Sequence, residues 1–187
     1  MSKLHELGDE RVIYAFAQDA EPVLRVASGD TVRIRTMDCF GNQVRTPEDE
    51  LDEIDWDRIN PATGPIYVEG AMPGGALKVQ IQKIELDGRT ASCTGEDEGV
   101  CGDRFKGWAT SINRIEGDHL VWTEKLSIPL KPMIGVIGVA PEGDPVNCGT
   151  PGPHGGNMDC TEIGEGAVLY FPVTAPGALF GCGDMHA

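Results

Sequence analysis

Three polar segments of the chain carry residue types that can bind a metal ion. They are Thr36–Gln43 (TMDCFGNQ), Pro151–Asp159 (PGPHGGNMD) and Gly183–Ala187 (GDMHA). The second segment contains His154 and Asp159. In the third, Asp184 and His186 stand two positions apart. Glycine and proline shape the backbone and leave little side chain to bury, so we expect the polar residues of these segments to serve chemistry.

We predict that Asp38, Asp159 and His186 bind one divalent metal ion, because each closes one of the three segments or the strand before it. Carboxylate oxygen and imidazole nitrogen suit zinc, and they suit manganese or calcium where water completes the coordination. A catalytic zinc ion keeps one position for water and lowers the pKa of that water toward neutrality. Zinc is therefore the first expectation, with calcium or manganese as alternatives.

Two residues are candidates for proton transfer beside such a site. Glu69 follows the apolar run of GPIYVEGA, and we expect its side chain to point into the interior, where an unpaired carboxylate is costly unless it has a function. His154 lies in the PGPHGGNMD segment and is the second candidate. The backbone N–H groups of Gly155 and Gly156 are candidates for stabilising a developing oxyanion, since glycine allows close approach of the backbone.

Cysteine chemistry is the alternative to metal chemistry. Cys39 and Cys160 each follow an aspartate directly and could act as thiolate nucleophiles, with His154 or His186 as the base. A neighbouring carboxylate raises the pKa of a thiol and disfavours the thiolate, so this alternative is the weaker one.

The bulk composition restricts the partners of the chain. Thirty acidic against fifteen basic residues give a net charge of −15, which excludes binding to a phosphate backbone. The sequence has no run of membrane-spanning length and no apolar signal segment at its N-terminus, so we expect no membrane partner. The six cysteines form no CxxC pair, and we expect reduced thiols in a cytoplasmic protein.

The elements that position these segments are predicted to be strands. Apolar residues alternate with polar ones after glycine-containing turns, as in Val32 and Ile34, or Leu77 and Val79. The fold class is therefore mainly β, a sandwich or barrel-like assembly with long Gly/Pro-rich loops and little helix, in one domain over residues 1–187. A short helical turn is expected within residues 49–59, and a mobile polar loop over residues 91–105.

The four motifs TMDCFGNQ, INPATGPIYVEGA, PGPHGGNMD and LYFPVTAPGALFGCGDMHA, in this order, resemble the acetamidase/formamidase family. The resemblance covers the chain from about Gly29 to Ala187. It implies a mainly-β metalloenzyme that hydrolyses short-chain amides to a carboxylate and ammonia, with related members that open lactams. It also implies a small amide as substrate and a homo-oligomer as the assembly.

The resemblance favours Asp38, Asp159 and His186 as metal-site residues, with Glu69 and His154 beside them. It also implies polar residues that orient the substrate or hold the loops, namely Asn42, Gln43, Asn60 and Asn157. Family chains continue past GDMHA into an MGDGE-type segment, so we expect a C-terminal companion segment or a partner surface. Two further alternatives stay open, a non-catalytic module that binds a small ligand and a structural fragment of a larger amidase.

Overall fold

The computed structural model describes residues 2–187, which form sixteen β-strands. The first eight are β1 (Leu4–Leu7), β2 (Val12–Ile13), β3 (Ala15–Phe16), β4 (Leu24–Ala27), β5 (Thr31–Ile34), β6 (Ala62–Glu69), β7 (Ala76–Gln80) and β8 (Arg89–Thr94). The others are β9 (Ala109–Glu116), β10 (His119–Thr123), β11 (Leu126–Pro129), β12 (Met133–Gly138), β13 (Val146–Asn147), β14 (Gly155–Asn157), β15 (Val168–Pro172) and β16 (Phe180–His186).

Helix is confined to three single 3₁₀ turns within residues 2–187, at Leu51–Glu53, Trp56–Arg58 and Gly102–Arg104. The first two lie within residues 49–59, the acidic segment, where the sequence predicted a short helical turn. Together with the strands they confirm the prediction of a mainly-β fold with little helix. Among the described residues, no helix has the length and apolar character needed to cross a bilayer.

A six-stranded sheet forms the centre of the molecule, in the order β14-β12-β16-β6-β2, with β4 pairing β6 in parallel. Strand β12 lies antiparallel between β14 and β16. All six residues of β12 are buried, because its sequence MIGVIG is apolar on both faces. This sheet brings the Pro151–Asp159 segment beside the C-terminal Gly183–Ala187 segment.

Smaller sheets surround this centre. Strands β8 to β11 form an antiparallel meander, β7 pairs with β15, β1 pairs in parallel with β5, and β3 pairs with β13. In β7, Leu77 and Val79 are partly buried while their neighbours are exposed, as the alternation predicted. The main core packs between these sheets and the central one, and its members include Ile66, Ile137, Val139, Phe171 and Phe180.

The prediction of a mobile loop over residues 91–105 was wrong for its first part. Strand β8 extends to Thr94 and pairs with β9 through Ser92↔Ser111 and the neighbouring pairs. Hydroxyl side chains in this stretch gave no apolar alternation, and the strand forms because β9 satisfies its backbone hydrogen bonds.

The carboxylate of Asp30 holds the N-terminal strand β1 in place. The Asp30 carboxylate accepts hydrogen bonds from the Lys3 backbone N–H at 2.8 Å and from the Ala27 backbone N–H at 3.2 Å, and it lies 2.8 Å from His5 Nε2. The Lys3 N–H and the His5 ring lower the pKa of Asp30 to about 2. The ionised carboxylate therefore joins β1 to the turn before β5.

We expect this contact to make stability depend on pH in the acid range. The folded pKa of Asp30 lies below its unfolded value, so its contribution is complete above about pH 4 and is lost as the pH falls toward about 2. Thermal melting of wild type and Asp30→Asn should differ at pH 6 and converge near pH 2. Asp19→Asn, at an exposed position, should follow wild type throughout. A constant difference between wild type and Asp30→Asn at all pH values would contradict the assignment.

Candidate metal centre

The side chains of Asp159, Asp184 and His186 meet beside the central sheet. One ligand atom from each lies within 4.8 Å of the other two. His186 Nε2 is 2.9 Å from Asp184 Oδ1 and 3.4 Å from Asp159 Oδ1. Ligand atoms of a tetrahedral zinc ion, at about 2.0–2.2 Å from the metal, stand about 3.3–3.6 Å from one another. The three donors therefore fit a divalent metal ion, and we call this set the carboxylate–histidine triplet.

The central sheet positions the triplet. Asp184 and His186 lie on β16, and Asp184 stands across from Gly135 of β12, between the pairs Ile134↔Met185 and Val136↔Gly183. Asp159 follows β14 by two residues, on the other side of β12. Strand β12 thus separates the two chain segments whose carboxylates converge over it.

Both aspartates of the triplet have an unusual backbone conformation. Asp159 has φ +43° and Asp184 has φ +53°, in the left-handed region that costs energy for residues other than glycine. Such conformations persist where the surrounding structure enforces them, and they are frequent at functional sites. Here they turn the two carboxylates away from the directions that a regular strand would give them.

The triplet is buried at one end and open at the other. Asp184 is 1% exposed, whereas the side chains of Asp159 and His186 are 49% and 41% exposed. The hydrogen bond to Asp184 raises the pKa of His186, and the charges of both aspartates add to this effect against the opposing effect of burial. The buried carboxylate therefore orients the imidazole, while solvent reaches the other side of the triplet.

Asp38 lies outside the triplet, although the sequence grouped it with Asp159 and His186. Its Oδ1 accepts a hydrogen bond from the Asn42 backbone N–H at 2.7 Å, and burial raises its pKa. The charges of Asp38 and Asp184 both act on the thiol of Cys39, so the Thr36–Gln43 segment borders the same region. Asp184 takes the third place in the triplet, and the signal for it was its spacing of two from His186 on one strand.

Glu69 is not in the interior, and that expectation was wrong. It is exposed at the last position of β6, where it pairs with Ala27 of β4. The other end of β6, Ala62, pairs with Gly183 beside the triplet. At about 3.3 Å per residue, the strand places Glu69 roughly 20 Å from Ala62. The apolar run before Glu69 is buried, but the strand emerges into solvent at its end.

Three predicted polar residues hold loops together. The Asn42 Oδ1 accepts a hydrogen bond from the Asp38 N–H at 3.4 Å, and the Asp38 Oδ1 accepts one from the Asn42 N–H at 2.7 Å. Gln43 donates to the carbonyls of Phe40 and Asp55 and accepts from the Asp55 N–H at 2.8 Å. The Asn60 N–H donates to the Cys39 carbonyl at 2.7 Å. Of the two predicted roles, these contacts match the holding of loops.

The backbone of the PGPHGGNMD segment is engaged in the sheet. The Gly155 N–H donates to the Gly152 carbonyl at 3.0 Å, and Gly156 is paired with Ile137 of β12. Gly155 therefore has no free N–H for an oxyanion, contrary to the prediction. The glycines are needed for another reason, since a Cβ atom on Gly155 would lie 2.2 Å from the Ile137 carbonyl oxygen.

Two side chains of the same segment have buried polar atoms without a hydrogen-bond partner among residues 2–187. They are Nε2 of His154 and Oδ1 of Asn157. His154 is 5% exposed and packs edge-to-face on Phe16 with ring centroids 5.5 Å apart. Burial lowers the pKa of His154, so this imidazole is neutral near pH 7. A neutral buried imidazole can accept or donate one hydrogen bond to a small polar ligand.

The thiolate alternative finds no support at Cys39. Burial raises the pKa of its thiol far above the usual range, and the nearby charges of Asp184 and Asp38 raise it further. Cys160 is exposed beside Asp159. The surroundings of Cys39 therefore disfavour its thiolate.

Two concavities of about 320 and 510 Å³ lie elsewhere on the surface of residues 2–187. The second is lined in part by Pro132 and Thr161, close in sequence to β12 and to Asp159. Neither is lined by a triplet residue. The triplet reaches solvent through the half-exposed side chains of Asp159 and His186.

We expect His154 to titrate below an ordinary histidine. Its folded pKa is lowered from 6.5, so the unfolded chain takes up the proton first, and stability is lost as the pH falls below about 6.5. NMR titration of the ring should give a pKa below that of His154 in urea-unfolded protein. The drop in melting temperature between pH 7.5 and 5.5 should be smaller in His154→Gln than in wild type. A folded pKa at or above the urea value would contradict this prediction.

Comparison with known proteins identifies relatives across the chain. A sequence model described as the Acetamidase/Formamidase family matches residues 3–147 and 145–187. The crystal structure of a recombinant predicted acetamidase/formamidase from the thermophile Thermoanaerobacter tengcongensis is 50% identical, with a TM-score of 0.96, and the match covers 100% of this chain and 62% of that one. An acetamidase from Bacillus halodurans is 43% identical, with a TM-score of 0.94, covering 97% of this chain and 62% of that one.

The match to sequences of named function is more distant. A formamidase from Methylophilus methylotrophus is 24% identical over 231 residues, which cover 90% of this chain and 56% of the relative. The chain thus spans about half the length of the curated relatives that it matches. The family model covers nearly every residue, and the chain therefore belongs to the acetamidase/formamidase family.

Proposed function

We propose that this chain carries the metal centre of a hydrolase that converts short-chain amides, such as formamide or acetamide, to a carboxylate and ammonia. The convergence of Asp159, Asp184 and His186 in one solvent-accessible set carries the proposal. The names of the relatives, formamidase and acetamidase, supply the substrate class. Small lactams belong to the same class of carbon–nitrogen bond and are included in the proposal.

The donor set suits zinc first, with manganese or calcium as alternatives, because it combines two carboxylates with one imidazole. Asp159, Asp184 and His186 would hold the ion. When bound, it supplies a Lewis acid for the amide carbonyl and a means of generating a nucleophile from water near neutral pH. The three protein donors leave room in a tetrahedral site for one further ligand.

The chain's own side chains have distinct tasks in this proposal. Before the ion binds, Asp184, buried and 2.9 Å from His186 Nε2, fixes the direction of the imidazole; with the ion bound, the two side chains would be neighbouring ligands. Asp159, half exposed, is the donor on the side open to solvent. Rigid placement of reacting groups is the larger part of what a protein scaffold contributes to such a reaction.

Proton handling and substrate orientation fall to Asp38 and to two side chains of the segment that carries Asp159. Asp38 is a carboxylate whose burial raises its pKa, which suits a proton acceptor better than the exposed Glu69 does. Nε2 of His154 and Oδ1 of Asn157 lack partners and offer one hydrogen bond each to an amide group. His154 directly precedes β14 and Asn157 ends it, so the two side chains lie three positions apart in one segment.

The open side of the triplet is relevant to assembly. With 49% of Asp159 and 41% of His186 exposed, bound substrate would remain in contact with bulk water. Exclusion of water strengthens electrostatic stabilisation at a reacting centre. We therefore propose that a further copy of the chain or a C-terminal companion segment covers this side during turnover.

The same openness favours a second candidate. A chain that binds the metal without turnover would serve as a ligand-binding module or as a structural part of a larger amidase. Full metal occupancy without hydrolysis would identify the first of these. Poor solubility without any bound metal would identify the second.

We expect the purified chain to bind about one zinc ion and to release ammonia from formamide or acetamide. Asp184→Asn should lower metal affinity by more than about a hundredfold, because it removes a donor and the partner of His186. Ammonia release should fall with it, and a chelator should abolish release in wild type. Elemental analysis and an ammonia assay across an amide series measure both effects.

Glu142→Gln is the matched control. It removes one negative charge, as Asp184→Asn does, but from an exposed side chain. It should retain wild-type metal content and activity. If wild type binds zinc but releases no ammonia from any amide in the series and opens no lactam to its amino acid, the hydrolase proposal fails and the binding module remains. If Asp184→Asn retains both zinc and activity, the triplet is not the metal centre.

A further inference from the structure

We propose that Gly135 is the positioning residue of the triplet: the absence of a side chain at this position, together with its carbonyl oxygen, brings the carboxylates of Asp159 and Asp184 together. The inference rests on the proposed metal centre and extends it to a residue that offers no metal-binding side chain. It follows from two contacts of Gly135 and from the burial of strand β12 around it.

The first contact is the space where a side chain would be. A Cβ atom built on Gly135 would lie 2.7 Å from Asp159 Oδ1 and 2.8 Å from Asp184 Oδ2. It would also lie 2.8 Å from the Asp184 carbonyl oxygen. All three distances are below 3.0 Å, a separation that real Cβ atoms essentially never show. Both carboxylates therefore rest against the α-carbon of Gly135, and any side chain would displace one of them.

The second contact is the carbonyl oxygen of Gly135. It accepts a hydrogen bond from the Met158 N–H at 2.9 Å, with the Asp159 N–H 3.4 Å away. This anchors the backbone that carries Asp159 while the missing side chain leaves room for the Asp159 carboxylate. Gly135 thus sets both the position of the segment that carries Asp159 and the direction from which the Asp159 carboxylate approaches.

The third observation is that β12 cannot move aside. Val136 is completely buried in a cluster with Phe16 and Ala62, whereas the next residue, Ile137, points to the opposite face, is 1% exposed and belongs to the main core. The strand is therefore fixed from both faces, as close-packed interiors resist displacement. Asp184 is itself 1% exposed and equally confined. Asp159, half exposed, is therefore the first group to yield to a side chain at position 135, while the contacts with the carboxylate and the carbonyl oxygen of Asp184 would remain strained.

These observations predict the effect of Gly135→Ala. We expect the variant to push Asp159 away from His186 and to weaken zinc binding by roughly tenfold or more, the range seen when the support of a metal ligand is lost. Isothermal titration with zinc measures the affinity. The visible spectrum of the Co²⁺-loaded chain reports the change in ligand geometry independently of any amide, and thermal melting reports the fold.

Gly181→Ala is the matched control on the neighbouring strand β16. A Cβ atom there would meet its nearest neighbour, the Thr63 carbonyl oxygen, at 3.3 Å and would touch no triplet residue. It should retain wild-type zinc affinity and the wild-type Co²⁺ spectrum. Zinc affinity of Gly135→Ala within twofold of wild type, with an unchanged Co²⁺ spectrum, would overturn the proposal.

A double-mutant cycle tests the contact without metal. Asp159→Gly removes the carboxylate and suits the backbone at φ +43°. In the presence of chelator, Gly135→Ala should lower the melting temperature less in the Asp159→Gly background than in wild type, because contacting residues couple. Equal shifts in both backgrounds would overturn the proposal.

The cycle also decides the case in which Gly135→Ala does not fold. A folded double variant then supports the proposal, and an unfolded double variant beside a folded Asp159→Gly contradicts it. None of these measurements uses an amide. Failure of wild type to release ammonia would therefore count against the proposed function and leave the role of Gly135 to be decided by its own data.

Discussion

The candidate metal centre depends on the close approach of backbone and carboxylates around strand β12. Gly135 stands across from Asp184, and the absence of a side chain there lets two negatively charged groups meet His186 at one place. A similar approach occurs one residue pair away, where a Cβ atom on Gly183 would lie 2.0 Å from the Pro61 carbonyl oxygen. Glycine is thus used where strands and loops must come closer than side chains allow.

The close approach of β12 and β16 places the carboxylate of Asp184 in the interior. A carboxylate as buried as Asp184 is costly unless a charge or hydrogen bond compensates it. The imidazole of His186 supplies part of this compensation, and the same interaction raises the pKa of His186. Removal of one partner would leave the other uncompensated. This makes a bound cation a natural occupant of the triplet, because it neutralises both carboxylates together.

Around this rigid centre, hydrogen bonds join the loops that border it. Gln43 connects its own turn to the acidic segment at Asp55, and Asn60 connects the start of β6 to Cys39. The acidic segment is fixed in turn, since Trp108 donates from its indole to Asp52 at 2.7 Å. These polar residues of the family motifs thus connect loops, while the residues of the triplet come from one strand and one strand end.

The sequence by itself determined what local pattern encodes. Alternating apolar residues such as Leu77 and Val79 specified strands, and four motifs together resembled the family that the sequence model then matched. Only the tertiary structure decided which polar side chains meet. It buried Asp184 beside His186 and left Glu69 in solvent at the far end of its strand, because strand pairing and positive φ angles set these directions. Such contacts join residues far apart along the chain, and local periodicity carries no information about them.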